Sequence, residues 1–358
     1  MPVSSFENPV IRGHRGIVLL TDGHSTPFLA KTAINLLRYR GQDVVGVLDQ
    51  HEAGKPAADV FGVGGSTPVV AHLQQVPHAD ALYVGIAPPG GKLPLEWRDL
   101  ILEAIERGWD IVSGLHDFVH LNPDYAQAAA RAGVHLIDVR HNHFRDIATG
   151  RGLSERCVRI HTVGHDCSLG KMVVAVEVQR ALQAAGQRAH FLATGQTGIM
   201  ISGQGVPVDC VVADFVNGAI EQLVRATEDA DFQLIEGQGS ISHPAYSAVT
   251  LGLLHGCAPD GLIYCYEAGR EFVKGLEQVP LPSCEAQLDV LQRIANLRHP
   301  CEVLGIAVNT RLLSAEAAAE EVRAAEQRFG LPACDVYRDG PAKLVAAAMA
   351  LRAKRVRS

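Results

Sequence analysis

The chain has no run of about eighteen uncharged apolar residues, the length a spanning helix needs, so no membrane segment is expected. Its first fifteen residues carry charges and prolines and lack the apolar core of a signal peptide, which makes the cytoplasm the expected compartment. Cys-x-x-Cys pairs are missing as well. The cysteines at 157, 167, 210, 257, 265, 284, 301 and 334 follow no regular spacing, which argues for reduced, mostly buried thiols rather than disulfides or a zinc site. Positive charge is not in excess: Lys and Arg total 32 against 39 Asp and Glu, a net charge of −7, so nothing draws nucleic acid. The basic tail at 352–357 reads as a solvated helix end. What remains is the composition of a soluble globular protein, 47% hydrophobic and 20% charged, and 358 residues are enough for two domains.

In the first half, apolar runs alternate with helical patterns, the signature of a parallel sheet wrapped by helices. Strands are expected at 16–20, 43–49, 81–87, 110–113 and 135–138, and helices at 28–40, 69–75, 95–107 and 124–132. Right-handed crossovers make this an open Rossmann-like sheet with any ligand at the carboxyl ends of its strands. No dinucleotide fingerprint is present, because Thr21-Asp22-Gly23-His24 after the first strand holds one glycine. The glycine-rich stretch 62–67 reads either as an anion nest or as a plain turn. Later loops carry more polar groups. His116 and Asp117 suit substrate orientation, Asp117 suiting a helix cap equally well. In Asp138-Val-Arg140-His141-Asn-His143-Phe-Arg145, two histidines at i and i+2 lack a third metal ligand, so Arg140 or Arg145 meeting a carboxylate is the better reading. The pattern lapses near 149–152, giving expected domains of 1–151 and 152–358.

The second half is organised around Gly164-His165-Asp166-Cys167-Ser168-Leu169-Gly170-Lys171-Met172. A β-branched run at 158–163 precedes it and a helical pattern follows, so it reads as strand, glycine loop and helix N-terminus. Loop N–H groups and the positive helix end suit a phosphate, with Lys171 as a point charge at the terminal phosphates. The spacing is one residue longer than Gly-x4-Gly-Lys-Ser/Thr, and Met172 stands where a hydroxyl would hold Mg²⁺. Strands are expected at 188–193, 209–214, 232–236, 261–266 and 303–309, with helices at 171–185, 215–227, 245–255, 315–329 and 341–354. Glu236 ends a strand parallel to the phosphate-loop strand, the position of a Walker B carboxylate. His243 suits a general base, and equally a loop histidine without a role. Asp214 reads as a helix cap, a cation ligand or a substrate-orienting group. Asn309 and Arg311, ending a strand beside the loop, suit a purine edge or a carboxylate.

Taken together, Gly164 to Lys171, Thr194-Gly-Gln196-Thr-Gly198, Asp209 with Asp214, and Glu236-Gly-Gln-Gly239 resemble the P-loop half of dethiobiotin synthetase. A closer resemblance covers nearly the whole chain. Gly85-Ile-Ala-Pro-Pro-Gly-Gly91, Gly114-Leu-His-Asp-Phe118, Asp138-Val-Arg140, Gly164-His-Asp-Cys167, Ala193-Thr-Gly-Gln-Thr-Gly-Ile-Met200, and Glu236-Gly-Gln-Gly-Ser240 with His243-Pro244 are similar to the hallmarks of a bacterial and archaeal family of unknown-function proteins. In that family a Rossmann-like half precedes a P-loop half. Members have been assigned as D-glutamate N-acetyltransferases, so the resemblance implies acetyl transfer from acetyl-CoA to the amine of an acidic D-amino acid. CoA needs an anion cradle and no catalytic metal, which suits a loop ending in Lys171-Met172. On this reading Gly164, His165, Asp166, Cys167, Ser168, Gly170 and Lys171 hold the cofactor. His243, Glu236 or Asp214 serves as base, and Arg140, His116, Gln196, Asn309 and Arg311 hold the amino acid. The dethiobiotin synthetase likeness implies an alternative, ATP-dependent carboxylate activation with Mg²⁺ on Glu236 and Asp214. A third reading is a nucleotide or CoA sensor without turnover. A homo-oligomer is the usual outcome for an enzyme of this size.

Overall fold

The computed structural model of the chain describes residues 6–151 and 153–357, so the first five residues, the boundary glycine Gly152 and Ser358 lie outside the described residues. Two compact units divide the chain. One comprises residues 1–142 with 196–210, and the other 143–195 with 211–358.

The first unit is built on six parallel strands: β1 (Ile17–Leu20), β2 (Val44–Leu48), β3 (Val69–Val70), β4 (Ala81–Val84), β5 (Asp110–Ser113) and β6 (Leu136–Asp138). Their order is β3-β2-β1-β4-β5-β6, the doubly wound order in which the chain reverses direction across the sheet beside β1. Strands covered on both faces lose polar alternation and become continuous apolar runs. Ile17, Val18, Leu19 and Leu20 accordingly have no exposed surface, and Ala81, Leu82 and Tyr83 have none either. Residues 69–75, expected as a helix, instead supply β3, whose two valines pair with Val47 and Leu48, and only Leu73–Gln75 turns as a 3-10 segment. Docking two β-branched side chains on the sheet edge outweighs the helical spacing there.

Residues 196–210 belong to this unit because a buried arginine holds them. Arg40 donates from Nη1 to the carbonyls of Ile11 and Met200, both at 3.1 Å, and from Nε to Asp43 at 3.0 Å. Thr32 and Thr197 meet through their hydroxyls at 3.1 Å, and the Asn8 N–H donates to Gly203 O at 2.8 Å. Residues 209–214 were expected as a strand. Val208–Cys210 is instead a 3-10 turn and Ala213–Arg225 a helix, because the segment leaves the second sheet and finds no strand to pair with.

The second unit holds β7 (Val158–Gly164), β8 (Ala189–Leu192), β9 (Phe232–Ile235), β10 (Gly261–Glu267), a hairpin of β11 (Phe272–Val273) and β12 (Leu276–Pro280), β13 (Glu302–Asn309) and β14 (Ala333–Cys334). Its main sheet runs β14-β13-β10-β7-β9-β8, all parallel, with β7 between β10 and β9. The helix Lys171–Ala184 follows β7 and is buried along most of its first two turns, which fixes where the loop before it can lie. The hairpin and the helix Cys284–Asn296 were not anticipated. That helix carries its own signals: Ser283 Oγ accepts the Ala286 N–H at 3.2 Å, and Leu288, Leu291 and Ala295 form its buried stripe. The fold is thus two α/β halves, one Rossmann-like and one of P-loop type, as expected. Among the described residues no helix is long and apolar enough to cross a membrane.

Candidate functional site

Between Gly164 and Lys171 the backbone turns through two left-handed residues, Ser168 at φ 55° and the N-cap Gly170 at φ 103°. Such a conformation is routine for glycine and uncommon for serine. The first hydrogen bond inside the following helix runs from the Val174 N–H to Gly170 O at 2.9 Å. The N–H groups of Lys171, Met172 and Val173 therefore open the helix without an intrahelical acceptor, the arrangement that receives an anion.

Lys171 does not project from this loop. Its Nζ donates to Asp166 O at 2.6 Å and to Gly239 O at 2.8 Å, and burial pulls its pKa below the ordinary lysine range. The ammonium therefore ties the loop to the segment after β9. Asp166 is fully buried. Its Oδ1 accepts the Cys167 N–H at 2.7 Å, and its Oδ2 accepts the Lys274 N–H at 2.9 Å and Arg270 Nη1 at 2.8 Å. Arg270 also donates to Cys167 O at 2.9 Å and pairs with Glu267, which receives Arg311 Nε at 2.9 Å. Asn309 Nδ2 donates to Leu169 O at 2.8 Å. Arg311 and Asn309, expected to touch substrate, thus brace the loop and its ion-pair chain. Arg270 was missed, although a basic residue just past the end of β10 was a visible signal. His165 accepts the Glu267 N–H at Nε2 (3.2 Å), and burial, aided by the Arg270 charge, lowers its pKa to about 4, so the ring is neutral near pH 7.

Glu236 is buried directly after β9. Its Oε2 accepts the N–H groups of Thr194 (2.9 Å) and Gly195 (3.1 Å), and its Oε1 accepts Gln238 Nε2 at 2.9 Å. Asp214 stands exposed in the first turn of the helix Ala213–Arg225, where its charge complements the helix dipole. The two carboxylates considered for magnesium are therefore unlike: one is buried and committed to N–H donors, the other is solvated. Asp166, Cys167 and His243 bring one ligand atom each within 4.8 Å of one another. The His243 ring decides how that group is used. Its Nδ1 accepts the Ala245 N–H at 3.1 Å, so the neutral ring carries its proton on Nε2, which faces Asp166 Oδ1 at 3.8 Å. Burial lowers the pKa of this histidine and favours that neutral form. Nε2–H is a donor, suited to an oxyanion rather than to a cation or a proton in flight.

Close packing holds this region in register. A Cβ at Gly237 would lie 1.7 Å from Thr162 O, so β9 leaves the sheet past β7 with backbone against backbone. Gly237→Ala is expected to cost at least ~1–3 kcal/mol of stability through forced backbone displacement. Denaturant unfolding should show a lower midpoint at unchanged slope, and an unchanged midpoint would refute the packing argument.

In the first unit, three residues singled out from sequence converge at the carboxyl ends of the strands. Arg140, nine-tenths buried, donates from Nε (3.0 Å) and Nη2 (2.8 Å) to Asp209 Oδ2, and from Nη2 to Gln196 Oε1 at 3.0 Å. His116 lies with Nε2 4.0 Å from Asp209 Oδ2 and Nδ1 3.5 Å from Cys210 Sγ. Burial, and then the Arg140 charge, lower its pKa. Arg140 Nη1 has no hydrogen-bond acceptor among the described residues. The arrangement presents a fork-shaped cation with one arm unused, a half-exposed imidazole and a carboxylate, the groups that recognise an amino-acid zwitterion. Asp209 was noted in sequence only as part of a motif. Nothing in the chain order reveals that it closes this cluster.

A second pairing on the same loops was not legible at all. Asp138, the last residue of β6, has a fully buried carboxylate whose Oδ1 accepts the Val119 N–H at 2.9 Å. Its Oδ2 accepts the His120 N–H at 3.1 Å and His120 Nδ1 at 2.6 Å. The His120 ring lies 4.7 Å, centroid to centroid, from that of His141 and is stacked on Phe118.

The two halves define a class: an α/β protein joining a Rossmann-like unit to a P-loop unit. The family described as a domain of unknown function, DUF1611, matches both parts, its P-loop domain at residues 146–345 and its Rossmann-like N-terminal domain at 50–142. The chain belongs to the DUF1611 family. It is 39% identical over 323 residues to a protein of Tritonibacter scottomollicae named D-glutamate N-acetyltransferase, covering 90% of this chain and 95% of that one. A Pseudoalteromonas protein of the same name is 41% identical over 269 residues, 75% of this chain and 81% of the relative. The crystal structure of a DUF1611 family protein from Anabaena variabilis superposes with a TM-score of 0.88 at 34% identity, covering 94% of this chain and all of that one.

Proposed function

We propose that this chain is an N-acetyltransferase that moves the acetyl group of acetyl-CoA to the amine of D-glutamate or a closely similar acidic D-amino acid. The observation that carries the reading is the identity of about 40% to two proteins bearing that activity in their names, one of them matched over 90% of this chain. The residues fit the chemistry. The helix N-terminus at Lys171 to Val173 suits the phosphates of CoA. Arg140 Nη1 suits a substrate carboxylate, and Asp209 and His116 beside it suit the remaining charged groups of an amino acid. A magnesium-dependent ATP reaction fits less well, because Met172 offers no hydroxyl, Glu236 is already held by three N–H donors, and Asp214 is solvated.

Purified full-length protein given acetyl-CoA and D-glutamate should release a free thiol and yield an amino acid heavier by one acetyl group. L-glutamate should support a lower rate. No thiol release across a panel of acidic and neutral amino acids of both hands would overturn the reading. ADP formation requiring both Mg²⁺ and a carboxylic acid would replace it with the ligase alternative, and tight CoA binding without turnover would replace it with a sensor.

A further inference from the structure

The acetyl-transfer reading needs a group that removes a proton from the substrate ammonium, and the residues considered for it from sequence are poorly placed to do so. His243 carries its own proton on Nε2, Glu236 holds three N–H donors, and Asp214 is a solvated helix-end carboxylate. We propose that the His120–Asp138 pair is the general base, with His120 Nε2 as the atom that takes the proton. The inference rests on the acetyl-transfer reading and adds the residue that makes the amine nucleophilic.

The geometry is that of an oriented imidazole. Asp138 has no exposed side-chain surface and is fixed by two backbone N–H groups, so it cannot swing away. Its Oδ2 receives His120 Nδ1 at 2.6 Å, which places the neutral ring's proton on Nδ1 and the lone pair on Nε2. This is the opposite tautomer to that of His243. The side chain is about one-third exposed, and Nε2 has no hydrogen-bond partner among the described residues and is not sealed from solvent. A buried carboxylate also stabilises the imidazolium that forms when Nε2 takes a proton. Among the described residues, Asp138 and His141 are titratable groups packed on the ring.

The dyad shares its two loops with the zwitterion cluster. His116 and His120 lie on the segment after β5. Asp138 and Arg140 lie two residues apart as β6 ends, and His141, against the His120 ring, follows Arg140 directly. In the reaction, the substrate ammonium gives one proton to His120 Nε2 and the freed amine adds to the thioester carbonyl carbon. The C–S bond then breaks and CoA leaves as a thiolate. Of the two protons the nitrogen loses, one ends on the CoA sulfur and the other passes from His120 to solvent.

His120→Asn tests this without dismantling the loop, because the asparagine Nδ2 can replace Nδ1 as donor to Asp138 while nothing replaces Nε2. At pH 7, kcat/KM for D-glutamate is expected to fall by about 10²–10⁴-fold with KM for acetyl-CoA unchanged. Activity of the variant should climb with rising pH as the amine loses its proton unaided, whereas the wild-type rate levels off. Asp138→Asn, which offers the ring an amide in place of a carboxylate, should show the same pH shift with a lesser loss. A purely structural pair would lower thermal stability and leave the pH profile where it was. Wild-type transfer with a His120→Asn rate within about threefold and an unchanged profile overturns the base alone. A wild-type chain that transfers no acetyl group overturns the reading it rests on as well.

Discussion

Arg140→Lys is expected to lower kcat/KM for D-glutamate by about 10²-fold, chiefly through KM for the amino acid, with KM for acetyl-CoA unmoved. The charge survives the change but the fork does not. Arginine uses Nε and Nη2 together on Asp209, and Nη2 again on Gln196, which leaves Nη1 aimed elsewhere. A lysine ammonium is a single point that must choose between Asp209 and a ligand. Steady-state kinetics with each substrate varied in turn reads the difference. An equal rise in both KM values would place Arg140 in general folding rather than in amino-acid recognition. Asp209→Asn should show the reciprocal behaviour, since it releases the guanidinium from its internal partner and alters affinity for the same substrate.

The largest expected loss of stability comes from Asp260, just before β10. Its Oδ2 accepts the Arg159 N–H at 2.7 Å, and its Oδ1 meets Arg159 Nη2 at 3.1 Å, His299 Nε2 at 2.6 Å and the Arg355 guanidinium. Asp260 and Arg159 are each 2% exposed, so removing the carboxylate strands a buried cation. Asp260→Asn is expected to cost about 3–5 kcal/mol. In a unit of this size that lowers Tm by roughly 6–20 °C, measurable by calorimetry. Burial pushes this carboxyl upward, but the His299 hydrogen bond and the Arg159 charge and N–H outweigh it, leaving the pKa below the usual range. A depressed folded pKa means the stabilisation is full above the unfolded carboxylate value near ~3.9 and is lost as pH falls through the lower folded value. The wild type should therefore shed stability in that acid window, and Asp260→Asn should shed less. Parallel acid limbs for the two proteins would refute the assignment.

What the sequence reveals and what it hides follow different rules. Strands inside the two sheets announced themselves because burial on both faces demands unbroken apolar runs, as in β1 and β10. Short edge strands such as β3 and β14 carry too few residues to show a period, and the hairpin Phe272 to Pro280 is half exposed. The run Cys210-Val211-Val212 looked like a strand by composition, yet a strand exists only where a neighbour offers a ladder. The phosphate loop was legible as a local motif, whereas the fate of Lys171, turned inward onto two carbonyls, depends on Gly239 from another strand exit. Arg140, His116 and Gln196 were picked singly for their chemistry, and Asp209, 69 residues beyond Arg140, is what joins the arginine, which also holds Gln196, to His116. His120 was overlooked because its significance lies in a carboxylate 18 positions away.

The excursion of residues 196–210 out of one unit and into the other bears on how the chain is made. Synthesis delivers the first 142 residues complete with β1 to β6 and with Arg140, but without the acidic partner of that arginine. At ribosomal speeds of ~5–20 residues per second, the 69 positions separating Arg140 from Asp209 amount to about 3–14 s of waiting. For most of that interval Arg40 also lacks the Met200 carbonyl it will hold. β7 and β8 of the second unit are translated before the first can close. The nascent polypeptide therefore matures in an interleaved order, and a gene fragment ending at the apparent domain border encodes a Rossmann-like half missing the piece that seals it.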